Sequence, residues 1–257
     1  KQCLKRRDTC RRWITNMISI LLPDLRGGGV ERIRIVLAHE FARAGHEVEF
    51  VLMRARGELL REAQKSFSVV ELGTARIRNV PVALARYLRA RRPDALLAAM
   101  WPLTAAAGFG LILSGHKARF VGSEHVDFRV SPSLNRYERL ILKYFGEVLY
   151  APFHRVVGVS AGVCESLTEV AGLSEGKLQV IYNPVRQTTP EAFPPDDSIR
   201  LSGWLEGEAR IISIGTLKEQ KGHDVLLRAF AEVRRQIDAR LLILGEGSLR
   251  QPLCELA

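Results

Sequence analysis

Between Ala209 and Ser248 the chain alternates in a way that few folds accept. Ala209-Arg210-Ile211-Ile212-Ser213-Ile214 is apolar and β-branched, which predicts a buried strand. Gly215-Thr216-Leu217-Lys218-Glu219-Gln220-Lys221-Gly222 follows, a loop bounded by glycine that carries lysine. From His223 to Ile237, Val225, Leu226, Ala229, Phe230 and Val233 recur at helical spacing. Leu241-Leu242-Ile243-Leu244 predicts a second strand, and Gly245-Glu246-Gly247-Ser248 opens another helix. This is a βαβ unit, whose loops fall at the carboxyl ends of parallel strands, where such sheets bind ligands. Lys221 is expected where the helix begins, so its ammonium and the free backbone N–H groups can hold one phosphate. An ordinary strand-to-helix connection is the competing reading of the same loop.

The first half alternates as well. Ile18 to Leu22 predicts a first strand, followed by a glycine-rich turn, Gly27-Gly28-Gly29, and an amphipathic helix through Ala44. Strands are expected over 48–53, 68–72, 95–100, 118–122, 155–159 and 177–181. Helices are expected over 58–66, 80–92, 103–113, 131–150 and 161–171, the last capped by Ser160. Such alternation implies a parallel sheet covered on both faces. The uncharged run from Ala95 to Ser114 is long enough to cross a bilayer. Pro102, Gly108, Gly110 and its alanines instead favour a buried strand followed by a buried helix.

A dinucleotide fold is testable on the glycines. A Gly-x-Gly-x-x-Gly fingerprint beginning at Gly27 requires glycine where Arg32 stands, and one beginning at Gly28 requires it where Val30 stands. The fingerprint fails both ways. The four cysteines, Cys3, Cys10, Cys164 and Cys254, show no metal-ligand spacing, so no metal site and a reduced, cytoplasmic compartment are expected.

The formal charge is +10, but residues 1–16 carry a net +5 of it, leaving +5 over the other 241 residues. That remainder is modest, and it suits a phosphate-bearing substrate or anionic lipid without requiring nucleic acid. The basic leader has no apolar periodicity and runs into Met17, which reads as the natural start of a domain. A basic arm touching anionic lipid is the competing reading.

Several segments, in order, resemble GT-B glycosyltransferases of family 4. They are Gly28-Gly29-Val30-Glu31-Arg32, Gly45-His46-Glu47-Val48, Ser123-Glu124-His125, Val159 to Val163, Tyr182-Asn183-Pro184-Val185 and the Gly215 to Gly222 loop. The resemblance implies an α/β, GT-B-like fold. One Rossmann-like, doubly wound acceptor-side domain would span 17–182 and a linker 183–207. The start of a nucleotide-sugar-binding domain would occupy 208–257. A doubly wound half needs about six strands, so the resemblance implies a chain truncated within its second domain.

It also implies transfer of a sugar from a nucleotide-diphosphate sugar to a saccharide or lipid-linked acceptor in bacterial surface-polysaccharide synthesis. The reaction would be retaining and metal-independent, with no cofactor beyond the donor substrate. His125 and Lys221 would be catalytic. Gly28, Gly29, Thr216, Lys218, Lys221 and Gly247 would bind the donor, with Glu31, Glu124 and Asn183 lining the cleft. The family grips the donor diphosphate with an arginine and a lysine. Lys221 matches the lysine, but Thr216 stands in the arginine's place, and Lys218 is the nearest substitute charge. A truncated, non-catalytic binding module is the alternative. The 131–150 helix interleaves Tyr137, Tyr144 and Phe145 with Arg136, Arg139 and Lys143, which suits peripheral contact with an anionic membrane, at the inner face of the cell membrane, packing into the core being the competing reading.

Overall fold

The computed structural model describes residues 17–131, 134–185 and 208–257. The basic leader and the stretch 186–207 lie outside them. The chain divides into two compact units, residues 1–185 and 186–257.

In the first unit, seven strands form one parallel sheet: β1 (Met17–Leu22), β2 (Glu47–Leu52), β3 (Ser68–Glu71), β4 (Ala95–Ala99), β5 (Arg119–Glu124), β6 (Arg155–Gly158) and β7 (Leu178–Val180). Their spatial order is β3-β2-β1-β4-β5-β6-β7, and every pairing is parallel. The order reverses between β1 and β4, which makes the carboxyl edge there the topological switch point. The helices are α1 (Gly29–Arg43), α2 (Leu60–Gln64), α3 (Val80–Arg91), α4 (Leu103–Ser114), α5 (Arg136–Tyr150) and α6 (Ala161–Ala171).

Alternation along each strand builds two cores. Ile18, Ile20 and Leu22 of β1, with Phe50 and Leu52 of β2, join Ile35 and Ala38 of α1 on one face. Leu21, Val51, Leu96 and Phe120 join Leu84, Leu103, Leu142 and Tyr150 on the other. Polar residues inside the strands are paired. The Glu49 carboxylate takes Arg91 at 2.9 Å and accepts from the Tyr87 hydroxyl. The Ser19 hydroxyl lies 2.6 Å from that of Tyr87. Burial, then the hydrogen bond to Glu49, pushes the Tyr87 hydroxyl up.

The structure moves several expected boundaries. α5 starts at Arg136, not near 131, because Asn135 caps it: its side chain accepts from the Tyr137 and Glu138 amides at 2.9 Å, and Glu138 reaches back to the Asn135 amide. β5 runs on through Ser123 and Glu124, so Glu124 is a strand residue and buried.

The second unit holds β8 (Ala209–Ile214), α7 (His223–Arg234), β9 (Ala239–Leu244) and α8 (Arg250–Leu256), with β8 and β9 parallel. The expectation of a buried β8 does not hold: Ile211, Ile212 and Ile214 are exposed, since among the described residues only β9 pairs with it. α7 ends at Arg234, short of Ile237.

Glycine placement gives a stability test. A Cβ on Gly146 of α5 would sit 2.1 Å from the Ala171 carbonyl oxygen of α6, whereas one on Gly29 would meet nothing within 4 Å. Gly146→Ala should therefore cost about 1–3 kcal/mol, a fall in Tm of about 2–10 °C. Gly29→Ala should leave Tm within about 2 °C. Calorimetry of the two variants checks the packing of α5 on α6.

Candidate functional site

The first unit gathers its candidate residues at the carboxyl edge. β1 leads into Asp24, whose buried carboxylate takes Arg26 at 2.7 Å and Arg56 at 3.2 Å. Gly27 has φ 96°, a left-handed turn that favours glycine. Gly28 then caps α1 in extended conformation, with the Glu31 carboxylate over it. Gly28 and Gly29 are both exposed. This leaves the first amides of α1 at the edge, with an acid in the first turn to complement the helix dipole.

At the end of β5, Glu124 is 1% exposed. Its carboxylate accepts from the Thr104 hydroxyl of α4 at 2.8 Å and the Tyr150 hydroxyl of α5 at 2.8 Å. It also accepts from the Trp101 amide at 2.9 Å. That amide is aimed by the turn after β4, where Met100 takes φ 70°. Burial raises the Glu124 pKa to about 7 against these three donors and the positive field of Arg34.

Sequence reading missed Arg34. It sits on the inward face of α1 and is only 6% exposed. Its guanidinium donates from Nη2 to the Ser123 hydroxyl, and the same nitrogen lies 3.4 Å from His125 Nε2. Its Nε is buried without a partner. Burial lowers the Arg34 pKa to about 10 despite the pull of Glu124, and a guanidinium there still keeps its proton at neutral pH. The only available signal was an arginine at core spacing beside Ile35 and Ala38, and spacing alone assigns such a position to apolar packing.

His125 is thus tied through Arg34 to the glycine turn. Burial first, and the Arg34 charge second, lower its pKa to about 4. Two unit charges 4 Å apart at an effective dielectric of about 20 repel by about 4 kcal/mol, which favours a neutral imidazole beside a fixed guanidinium. Asn183 is exposed in the segment after β7 and is not part of this cluster.

In the second unit, the loops after β8 and β9 are stitched together. The Leu217 amide donates to the Glu246 carbonyl at 3.0 Å, and the Leu249 amide donates to the Leu217 carbonyl at 3.1 Å. A Cβ on Gly245 would lie 1.8 Å from the Gly215 carbonyl oxygen, and one on Gly247 would lie 2.3 Å from that of Leu217. Gly247 is therefore accounted for by backbone approach, without a ligand. Lys221 closes a 3-10 turn over Glu219–Lys221, and Gly222 at φ 61° separates it from α7. It precedes the helix instead of beginning it. The Lys221 side chain folds back: its Cδ would lie 3.7 Å from a Cβ on Gly215. Thr216, Lys218 and Lys221 are all exposed. His223, the first residue of α7, is 3% exposed and its Nδ1 has no partner. A cavity of about 950 Å³ adjoins these loops at Leu217, Gly245 and Glu246 and runs along Phe230, Leu241 and Leu253, and neither Thr216 nor Lys218 nor Lys221 lines it. Arg234, Arg235 and Arg250 are also among the residues that line it, so cations border both the recess and the lysine loop. Among the described residues no group of three or more His, Cys, Asp or Glu side chains is placed to hold a metal ion.

A doubly wound parallel sheet followed by a βαβ unit fits the GT-B fold of group 1 glycosyltransferases. Residues 27–188 match the model of Glycosyltransferase Family 4, and residues 196–257 match that of Glycosyl transferases group 1. The chain belongs to Glycosyltransferase Family 4. A curated relative from Campylobacter jejuni is N-acetylgalactosamine-N,N'-diacetylbacillosaminyl-diphospho-undecaprenol 4-alpha-N-acetylgalactosaminyltransferase. It is 29% identical over 143 residues, 55% of this chain and 37% of the relative. Among solved structures, HepE of Anabaena in complex with UDP and glucose has a TM-score of 0.70 at 16% identity, covering 94% of this chain and 64% of that one. The lipopolysaccharide outer core galactosyltransferase WaaB has a TM-score of 0.63 at 16% identity, covering 93% of this chain and 63% of that one. The chain thus spans just over a third of the curated relative and just under two thirds of these solved neighbours.

The Glu124 and His125 environments predict opposed pH dependences. Glu124 goes from about 4.5 unfolded to about 7 folded, so its burial costs least at low pH and stability falls as pH rises across that window. His125 goes from about 6.5 to about 4, so its contribution is present above that window and lost as pH falls through it. In denaturant unfolding, the stability of Glu124→Gln relative to the parent should therefore rise between about pH 4.5 and 7 and be level above that. A difference that does not change with pH would show that Glu124 is ionised throughout.

Proposed function

We propose that the chain is part of a retaining, metal-independent glycosyltransferase of the hexosyltransferase type. It would move a sugar from a nucleotide-diphosphate sugar to a saccharide or lipid-linked acceptor in bacterial surface-polysaccharide synthesis. The observation that carries this reading is the lysine loop. Lys221 is exposed, its stem lies over Gly215 at the carboxyl end of β8, and the uncapped amino end of α7 follows directly. A cation beside free helix amides is the arrangement that neutralises a leaving diphosphate. A UDP-glucose complex of HepE and the diphospho-undecaprenol acceptor in the name of the Campylobacter relative support the substrate classes. In the first unit, Gly28, Gly29 and Glu31 at the α1 terminus and His125 at the end of β5 are proposed to face donor and acceptor, with Glu124 behind them. Gly247 shapes the lysine loop, and Asn183 is proposed to act only where the chain leaves the first unit.

A single charge-assisted contact contributes about 1.5–3 kcal/mol, so Lys221→Ala should weaken UDP binding about ten- to a hundredfold. Thr216→Arg should leave binding unchanged or tighten it, depending on whether Lys218 already supplies that charge. Calorimetry with UDP alone removes the unknown sugar from the comparison. Parent-like binding by Lys221→Ala would make the loop an ordinary connection and favour the non-catalytic alternative.

We further propose peripheral contact with anionic membrane through α5. Tyr137, Tyr144, Phe145 and Val148 are 69%, 68%, 57% and 65% exposed. Arg136 and Lys143 lie over the Tyr137 and Tyr144 rings at 5.6 and 5.8 Å. Among the described residues no helix is long and apolar enough to cross a membrane. Each basic residue near an anionic surface contributes about 1 kcal/mol, so Arg136→Glu with Lys143→Glu should cut vesicle partitioning by about thirtyfold or more. Flotation of the parent with phosphatidylserine vesicles at low salt should carry it upward, and its failure to float would end the idea.

A further inference from the structure

We propose that Arg34 is a positioning residue that holds His125 as the neutral tautomer with its proton on Nδ1, so that His125 meets a ligand as a hydrogen-bond donor and not as a base. The ligand half of this statement rests on the glycosyltransferase reading above; the tautomer half does not.

The argument is a count of hydrogens. Arg34 is fixed in place by burial on α1 and reaches past the carboxyl end of β4 to β5. Its Nη2 donates to Ser123 Oγ, so that oxygen is an acceptor and its own hydroxyl hydrogen is free to be given elsewhere. His125 Nε2 lies 3.1 Å from the same oxygen and 3.4 Å from the same Nη2. With a lone pair on Nε2, the Ser123 hydroxyl donates to it and the guanidinium turns a positive edge toward it, so neither the Nη2 hydrogen given to Ser123 nor the Ser123 hydrogen is left without an acceptor. With a hydrogen on Nε2, that hydrogen would face the guanidinium N–H groups, and the Ser123 hydrogen would have to turn away. Arginine cannot relieve this by losing a proton.

The remaining charged groups near His125 do not alter the count. Glu124 lies beside it in the chain, but its oxygens are taken up by Thr104 of α4, Tyr150 of α5 and the Trp101 amide. Asp127, two residues on, holds Arg129 at 2.6 Å, and Arg129 also meets Glu165 and Glu169 of α6. None of these acids offers an acceptor to Nε2. Among the described residues Nδ1 makes no hydrogen bond, and the half-buried ring leaves it for a ligand oxygen, a sugar hydroxyl or a phosphoryl oxygen. The lowered pKa of about 4 agrees with a ring that stays neutral. A general base needs a free lone pair, and here the lone pair is already spoken for by Ser123 and Arg34.

The test is ¹⁵N NMR of the full chain labelled on its six histidines, without ligand, with the His125 signals identified by their loss in His125→Gln. The parent should show Nδ1 protonated and Nε2 unprotonated, unchanged from pH 8 to pH 5.5. Arg34→Met should move His125 toward the Nε2–H form, because Ser123 is then free to accept, and Arg34→Lys, which keeps a cationic donor, should move it back. An Nε2–H ring in the parent would overturn the proposal. So would a parent-like ring in Arg34→Met whose far-UV circular dichroism matches the parent. If Arg34→Met does not fold, the parent spectrum and Arg34→Lys decide. Because no nucleotide is present, a chain that fails to bind UDP in calorimetry would refute the glycosyltransferase reading and leave the tautomer result standing.

Discussion

The Glu124 carboxylate ties β5 to the turn after β4, to α4 and to α5, and its charge lies in the field of Arg34 from α1. The carboxyl edge of the first unit depends on this arrangement. A buried charge is unfavourable unless its lone pairs are satisfied, and removing one partner strands the others. Neither Glu124 nor Arg34 is resolved into a contact ion pair: Glu124 is satisfied by three neutral donors, and Arg34 spends its Nη2 on Ser123 and His125 while its Nε goes unmatched. The edge therefore holds a carboxyl group and a guanidinium inside without bringing them into contact. This keeps the guanidinium where it can act on the histidine. Shifting α4 or α5 would disturb Glu124, and with it the backbone that leads into His125.

The second unit solves the opposite problem. Its cations are exposed, so the task is to hold a flexible lysine near one spot without burying it. The loops after β8 and β9 do this by backbone contact, with Gly245 and Gly247 permitting an approach that no side chain would allow. Leu217 is buried between them while Thr216 and Lys218, on either side, point outward. An arginine at position 216 would meet no steric barrier there, since Thr216 is exposed.

Much of the fold was legible because alternation and helical spacing report burial directly. β1 with Ile18, Ile20 and Leu22 on one face and Leu21 on the other is an example, and so is α6, whose bounds and Ser160 cap follow from the sequence. Where reading failed, a side chain competed with the pattern. Asn135 captured two amides and started α5 five residues late. Glu49, inside β2, is buried because Arg91 and Tyr87 arrive from α3, which no local pattern reports. His125 and Lys221 stood out as types that carry chemistry at strand ends. Arg34 did not, because its position has the spacing of a core residue, and its partners lie about ninety residues away in sequence.

The surface of α5 shows how one helix serves the edge and the outside at once. Its inward face supplies Leu142, Leu149 and Tyr150, and Tyr150 is the residue that reaches Glu124. Arg139 turns away from solvent and donates to the carbonyls of Phe128, Arg129 and Ser131, fixing the loop that follows His125. Of its three basic residues, then, only Arg136 and Lys143 remain over aromatic rings on the outer face. Ile112 and Leu113 at the end of α4 are exposed too, with Arg89 of α3 bonded to the Leu113 carbonyl. The membrane contact proposed above rests on this outer face and its two cations. Any ordering of α5 against such a surface would be transmitted inward by Arg139 and Tyr150 to the segments that flank His125.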